Sequence, residues 1–186
     1  MFKELINRKI TGKIYHRFIL YPKIKKYLTG HLLDYGAGIG SFSSYYKKFD
    51  KVTPLEINSD SYQYLLNSNL NPIMLKNNKI PSDNNFYDSA LLDNVIEHIL
   101  NPEQCMVEIK RVLKNNATIV IGVPGVYGFN SHWDHKYYFD EMELKKLCSK
   151  LSLKLIKFFY MPLFKSEFLS LNLKQYCIYA IIKNTK

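Results

Sequence analysis

An acid and three alternating glycines, Asp34-Tyr35-Gly36-Ala37-Gly38-Ile39-Gly40, form the densest chemical signal in the chain. Glycine takes positive φ without strain and lets a ligand approach where a Cβ would clash. Leu32 and Leu33 run into Asp34, and Ser41 opens a helix-like segment. Strand, glycine turn and helix start is an architecture that binds nucleotides, because free N–H groups at the helix start face the ligand's negative or polar end. A dinucleotide site wants G-x-G-x-x-G, and here the third glycine comes one position early. Twenty positions after Gly36, Glu56 ends the segment KVTPLEI at 51–57. An acid at a strand end beside the glycine turn is placed to accept hydrogen bonds from both ribose hydroxyls. Further on, Asn77 or Asn78 is placed to meet an adenine edge. The ligand expected is a nucleoside.

Those residues need a parallel sheet to hold them. A helix is predicted before Pro22, where Ile10, Ile14, Tyr15, Phe18 and Ile19 recur at helical spacing beside Arg8, Lys9, Lys13, His16 and Arg17. Residues 1–30 read as an N-terminal helical extension and 31–186 as the main domain. Residues 41–48 should be helical and 51–57 a second strand, although Pro54 is unusual inside a parallel sheet. Ser59-Asp60 can cap a helix to about residue 67, with a short third strand at 72–76. The polar stretch 77–85 is too short for a crossover helix. A fourth strand follows at 86–93, and a helix from Pro102 with Met106, Val107, Ile109, Val112 and Leu113 on one face. Asn115-Asn116 reads as a turn before a buried apolar strand at 117–123. A loop rich in Gly, His and aromatics spans 125–139, Asp140 caps a helix to about 150, and strands close the chain at 153–160 and 174–182.

With 186 residues and 47% hydrophobic content the chain suits one domain with a real core. It has no long uncharged apolar run, and MFKELINRKITGK lacks the apolar centre of a signal peptide, so a cytoplasmic protein is expected. Cys105, Cys148 and Cys177 lie far apart and suit reduced thiols better than zinc or disulfides. The formal charge of +10, from 26 Lys and Arg against 16 acids, permits an anionic partner. Its lysines are scattered, however, and point to none in particular.

The D-x-G-x-G-x-G run resembles the first motif of the class I S-adenosylmethionine-dependent methyltransferases. Phe86-Tyr87-Asp88, Asn94-Val95-Ile96-Glu97-His98, Glu108-Ile109-Lys110-Arg111-Val112-Leu113-Lys114, Val123-Pro124 and Trp133-Asp134-His135-Lys136-Tyr137-Tyr138-Phe139 continue the likeness in order. They are similar to the small-molecule group that includes ubiquinone-pathway and surface-sugar enzymes. The resemblance implies an α/β Rossmann-like, doubly wound, seven-stranded sheet, mostly parallel with an antiparallel last strand. It also implies S-adenosylmethionine lying across the strand ends. Gly36 and Gly38 would pass under its methionine and ribose, with Asp34 supporting the turn and the amino group. Glu56 would hold the ribose, Ile57 would pack on adenine, and Asp93 would lie near the methionine part and the acceptor's entrance. A Gly-Gly turn frequent in the group is Asn115-Asn116 here.

Methyl transfer from a sulfonium needs a nucleophile held close and aligned, and a base helps if the acceptor is a hydroxyl or amine. His132 and His135 are the candidates, since their loop follows the fifth strand. Either imidazole could instead order that loop with Asp134 as partner. An H-x-x-H metal site lacks an evident third ligand, so no metal is expected. His98 is read as stabilising a helix start, and Tyr127, Trp133, Tyr137 and Tyr138 as lining an acceptor pocket. The leading function is methylation of a hydroxyl or amine of a small metabolite, a sugar or lipid-linked intermediate among the candidates. The basic N-terminal helix is read first as packing on the domain with a solvated face, and second as a pocket cover or a peripheral membrane contact. Nucleic-acid methylation is disfavoured because Asp93-Asn94-Val95-Ile96 replaces any N/D-P-P-Y-like motif. A non-catalytic S-adenosylmethionine-binding protein is the third reading.

Overall fold

The computed structural model describes residues 10–76 and 79–186. Its centre is a seven-stranded sheet of order β3-β2-β1-β4-β5-β7-β6. The strands are β1 (Leu32–Tyr35), β2 (Val52–Glu56), β3 (Ile73–Met74), β4 (Tyr87–Asp93), β5 (Leu113–Pro124), β6 (Lys154–Met161) and β7 (Cys177–Lys183). β1 to β5 pair in parallel, and β7 runs antiparallel to both its neighbours, β5 and β6. The expected architecture holds.

The twofold alternation of side chains along each strand builds three layers. Leu33, Ala90, Leu92, Ile119 and Ile121 face one side, where they meet Met106, Ile109 and Val112 of α5 (Pro102–Val112) and Leu144 and Leu147 of α7 (Glu141–Lys150). Leu32, Leu91, Val120, Tyr179 and Ile181 face the other. They meet Phe42 and Tyr46 of α3 (Ser41–Tyr46) together with Leu20, Tyr21, Ile24 and Leu28 from the N-terminal segment. That segment therefore contributes to the core of the sheet domain.

The N-terminal helix does not stop before Pro22. α1 (Ile10–Tyr15) passes through a π-helical turn (His16–Leu20) into α2 (Tyr21–Lys25), with Pro22 near the start of α2. The Tyr21 N–H bonds back to the His16 carbonyl, and such a widened turn leaves room for a proline that lacks its own donor. Arg8 and Lys9 lie outside the described residues.

Pro54 sits inside β2, and the hydrogen-bond phase explains why it is tolerated. Carbonyls of Lys51 and Leu55 accept from Leu32 and Gly36 on the β1 side, whereas the Glu56 carbonyl accepts from Leu75 on the β3 side. Even-numbered positions of β2 thus point outward. β3 pairs with Leu55 and Glu56, past Pro54, so among the described residues no strand needs the donor that Pro54 lacks, although the residue itself is buried.

Asn58, one residue earlier than expected, caps α4 (Ser59–Asn67) by accepting the Ser61 N–H. Asn101 and Asp140 cap α5 and α7 in the same way. The Asn115-Asn116 pair is a bulge within a continuous β5, not a turn ahead of it. Asn116 takes φ 61°, a conformation asparagine tolerates better than most residues, which is why it can stand where glycine is common. The Asn184 amide fastens this bulge by donating to carbonyls of Lys110, Leu113 and Lys114.

The polar stretch before β4 forms no helix among its described residues. Its anchor is Arg111, which donates to the Ser82 and Ile80 carbonyls, to Asn84, and in two bonds to Glu108. Glu108 in turn accepts the Ile80 N–H. Among the described residues no helix is long and apolar enough to cross a membrane. Cys105 and Cys148 are buried free thiols, and burial pushes both up to about 11.

Candidate functional site

The turn from β1 into α3 carries positive φ at Gly36 (74°), Gly38 (57°) and Gly40 (70°). A Cβ on Gly36 would lie 2.6 Å from Val95 Cγ2, and one on Gly40 would lie 2.5 Å from Leu65 Cδ2. Gly36 therefore admits the chain that leaves β4, and Gly40 admits α4. The N–H groups of Gly36 and Ala37 both donate to the Leu55 carbonyl, fixing the turn against the end of β2.

Glu56 completes that junction. Its Oε2 accepts the Gly38 N–H at 2.7 Å, and its Oε1 accepts those of Ile57 at 2.8 Å and Asn58 at 3.0 Å. A carboxylate offers about four lone-pair sites, so the backbone already occupies most of them. Holding both ribose hydroxyls requires the Gly38 bond to be shared or released. Ile57 follows with its side chain 68% exposed, an uncovered apolar surface beside the turn.

Asp34 is buried and bonds to the Ser43 hydroxyl at 2.6 Å, tying β1 to α3. Burial raises its carboxyl to about 7 against the lowering effect of Ser43, and the charges of Asp93 and Glu56 push the same way as burial. Asp93, at the end of β4, accepts from Tyr179 Oη at 2.7 Å and from the Asn94 amide at 3.0 Å. Gly122 makes room for that bond, since a Cβ there would meet Tyr179 Cε1 at 2.4 Å. A chain of net charge +10 thus concentrates three carboxylates at one end of its central strands. Cationic groups on a ligand would relieve their repulsion.

Asp34 yields a pH prediction. Its folded pKa lies above the unfolded value of 3.8, so the native state binds the extra proton. Its stabilising contribution is complete below the unfolded value and is lost as pH rises through about 7. Unliganded protein should lose melting temperature between about pH 4 and 7, by at most about 1.4 kcal/mol per pH unit from this group. Asp34→Asn is expected to flatten the curve in part, because Glu97 has the same sign. Identical slopes in thermal melts would refute the assignment.

Tyr15, the last residue of α1, lies near the strand ends and packs against the core. Burial, with Cys177 and Asp93 nearby, pushes the Tyr15 hydroxyl up to about 12, and that hydroxyl has no hydrogen-bond partner among the described residues.

The loop after β5 contains a short helix that sequence reading missed, α6 (Val126–Asn130). His135 Nδ1 lies 2.7 Å from the Phe129 carbonyl oxygen, with the ring stacked on Phe129. The His132 ring is 5.1 Å and the His98 ring 4.6 Å from that of His135. Asp134 does not partner either loop histidine as expected: its Oδ2 lies 3.1 Å from His98 Nδ1, in the single 3₁₀ turn (Ile96–His98) that follows β4. The Glu97 carbonyl accepts from Lys136, drawing the loop onto that turn. Glu97 itself is fully buried, and burial, reinforced by Asp93 and Asp134, raises its carboxyl to about 8. Glu97, His98 and His135 present ligand atoms within 4.8 Å of one another. Of the H-x-x-H pair read from the sequence only His135 belongs to this group; Glu97 and His98, from the turn after β4, supply the rest, and His132 stands outside it.

Trp133 is 93% exposed and lines nothing among the described residues, so it projects from the loop it was expected to wall. Tyr137 bonds to the Leu100 carbonyl and Tyr138 packs edge-on against Phe129. Asn77, with Asn78, lies outside the described residues. Tyr179, Gly122 and Tyr15 escaped sequence reading because only the β5-β7 register and the path of the N-terminal segment bring them near Asp93. Glu97 lay inside a quoted motif, and its burial was the missing signal.

Residues 33–121 match the family model described as a methyltransferase domain. An Aquifex aeolicus structure described as a SAM dependent methyltransferase superposes with a TM-score of 0.75 at 17% identity, covering 99% of this chain and 97% of that one. Another, from Archaeoglobus fulgidus and described in the same words, gives 0.72 at 18% identity, with 94% and 99% covered. Among curated proteins, an uncharacterized protein of Methanocaldococcus jannaschii is 29% identical over 94 residues, 50% of this chain. The match spans 44% of that relative, less than half its length. Residues 33–121, just under half of the chain, thus match a methyltransferase domain with the glycine turn inside the matched stretch, and the whole sheet shares its fold with solved structures described as methyltransferases.

Proposed function

We propose that the chain methylates a hydroxyl or amine of a small molecule, with sugars and lipid-linked intermediates as the first candidates. The observation that supports this most is the convergence of the carboxylates around the glycine turn with the histidine loop at the same strand ends: Glu97 feels the charge of Asp93 as well as that of Asp134. S-adenosylmethionine supplies a methyl group already activated by its sulfonium leaving group. The residues fit it. Gly36 and Gly38 form a backbone cradle, Asp34 and Asp93 give negative charge, Glu56 reaches the turn, and Ile57 offers an uncovered apolar side chain.

The chain's own task is alignment and proton removal. With its proton on Nδ1, His135 donates to the Phe129 carbonyl and leaves Nε2 as an acceptor. Burial lowers its pKa, and His98 and His132 lower it further, which keeps the ring neutral and basic near pH 7. His132 stands beside it as the second candidate. A lipid-linked acceptor is favoured by the exposed Ile10 and Ile14 of α1 and Phe18 of the π-helical turn, interleaved with exposed Lys13 and Arg17.

Calorimetric titration with S-adenosylmethionine and S-adenosylhomocysteine, followed by transfer of a labelled methyl group, tests the reading. Expected are tight binding of both and label on a sugar or lipid-linked acceptor. Failure to bind either ligand refutes it, and label appearing only on RNA or DNA, with salt-sensitive affinity, replaces the acceptor class. Binding without transfer to any acceptor would make the chain a cofactor-binding protein.

A further inference from the structure

Glu97 poses an electrostatic problem that the site as described does not solve. Its side chain is 0% exposed, and neither carboxylate oxygen has a hydrogen-bond partner. Asp93 and Asp134 add negative charge nearby. Buried polar groups are normally satisfied, and a buried carboxylate is normally paired or bound to a metal. No lysine or arginine is within ion-pairing distance of Glu97 among the described residues. What faces it is a pair of imidazoles, His98 and His135, with ligand atoms within 4.8 Å.

Both imidazoles have an oxygen behind Nδ1, and a neutral imidazole always keeps one nitrogen lone pair available. Asp134 Oδ2 sits 3.1 Å from Nδ1 of His98, and the Phe129 carbonyl oxygen sits 2.7 Å from Nδ1 of His135. The Phe129 carbonyl favours the His135 tautomer with its proton on Nδ1, which leaves Nε2 unprotonated, whereas Asp134 faces His98 Nδ1 as a charge without a hydrogen bond. An oxygen acceptor behind a histidine is the usual outer support of a metal ligand: it sets the ring's orientation and raises its basicity. The elements that bring the three together are separate in sequence. Glu97 and His98 come from the turn after β4, and His135 comes from the loop after β5, clipped on by the Lys136 N–H to the Glu97 carbonyl.

We infer that Glu97, His98 and His135 form a binding site for one divalent first-row transition ion, with Asp134 and the Phe129 carbonyl as its outer supports. Two nitrogens and one carboxylate oxygen suit Zn²⁺, Co²⁺ or Fe²⁺ better than Mg²⁺, which prefers oxygen alone. Three protein ligands leave further positions for water or a substrate oxygen. Where the methyltransferase reading holds, His135 is then a ligand and proton removal from the acceptor falls to His132.

The test uses the full chain freed of metal by chelation, without S-adenosylmethionine. Zn²⁺ titrated alone should bind at one equivalent, and Co²⁺ should give visible absorption bands of a site with nitrogen ligands. Glu97→Gln and His135→Gln should each weaken Zn²⁺ affinity by more than about 100-fold, and Asp134→Asn by about 10- to 100-fold. Circular dichroism shows whether each variant folds. Should Glu97→Gln not fold, Co²⁺ spectra of the wild type and of His135→Gln decide the matter. Absence of stoichiometric Zn²⁺ binding, affinity unchanged in the folded variants, or a preference for Mg²⁺ overturns the proposal. The methyltransferase reading falls by other results, since cofactor titration is scored separately.

Discussion

Glu56→Ala is expected to weaken S-adenosylmethionine binding by at least about 100-fold and to destabilise the unliganded protein by about 3–5 kcal/mol. The reason is that one carboxylate serves two junctions. Its Oε1 holds the Ile57 and Asn58 N–H groups at the end of β2, and its Oε2 holds Gly38 in the ligand-facing turn. Hydrogen bonds to a charged acceptor contribute about 1.5–3 kcal/mol each, and truncation would leave three donors wanting. Glu56→Gln separates the two roles. It can keep an acceptor for Ile57 and Asn58 but turns an amide NH₂ toward the Gly38 N–H, so binding should suffer more than stability. Calorimetric titration beside thermal melts reads both quantities. Affinity within threefold of wild type in the alanine variant would remove Glu56 from the cofactor site.

Gly36→Ala should lower stability by about 3 kcal/mol, roughly 6–12 °C in melting temperature for a chain of this size. Two separable costs combine. At φ 74° an L-residue is strained by about 1–2 kcal/mol, and the new methyl would lie 2.6 and 2.7 Å from the two Val95 methyl carbons. Val95→Ala in the same chain removes the collision and leaves the strain, so the double variant should recover part of the loss. Full recovery would mean the backbone conformation costs nothing there. No recovery would mean that the Val95 contact is immaterial.

Local chemistry made much of this legible in advance. Glycines at alternate positions required positive φ wherever they occurred, and the apolar run 117–123 could only be a buried strand. Glu56 was identifiable because its distance from the glycines follows from one helix and one strand. The loop histidines were identifiable only as residue types. Which partner Asp134 takes depends on how the loop after β5 folds over the turn after β4, a contact between segments some 36 positions apart with no periodicity to announce it. Pro54 was read as an anomaly because hydrogen-bond phase, which alternates along a strand, is not written in residue types. Trp133 misled for a related reason: an aromatic in a loop names a capability, and the backbone decides whether it faces in or out.

The strand order also has a temporal side. Among the described residues β6 has β7 as its one neighbour in the sheet, and β7 follows it in the chain. During synthesis, residues 154–161 must therefore wait, their backbone groups unpaired, until 177–183 emerge and slot between β6 and the waiting edge of β5. Two apolar strand edges stay open to wrong pairings for that interval. The same late step delivers Tyr179 to Asp93 and Asn184 to the β5 bulge. The nascent chain thus acquires the donor that orders Asp93 only when β7 docks, which ties completion of the ligand end to the pairing of a strand made after all the others described.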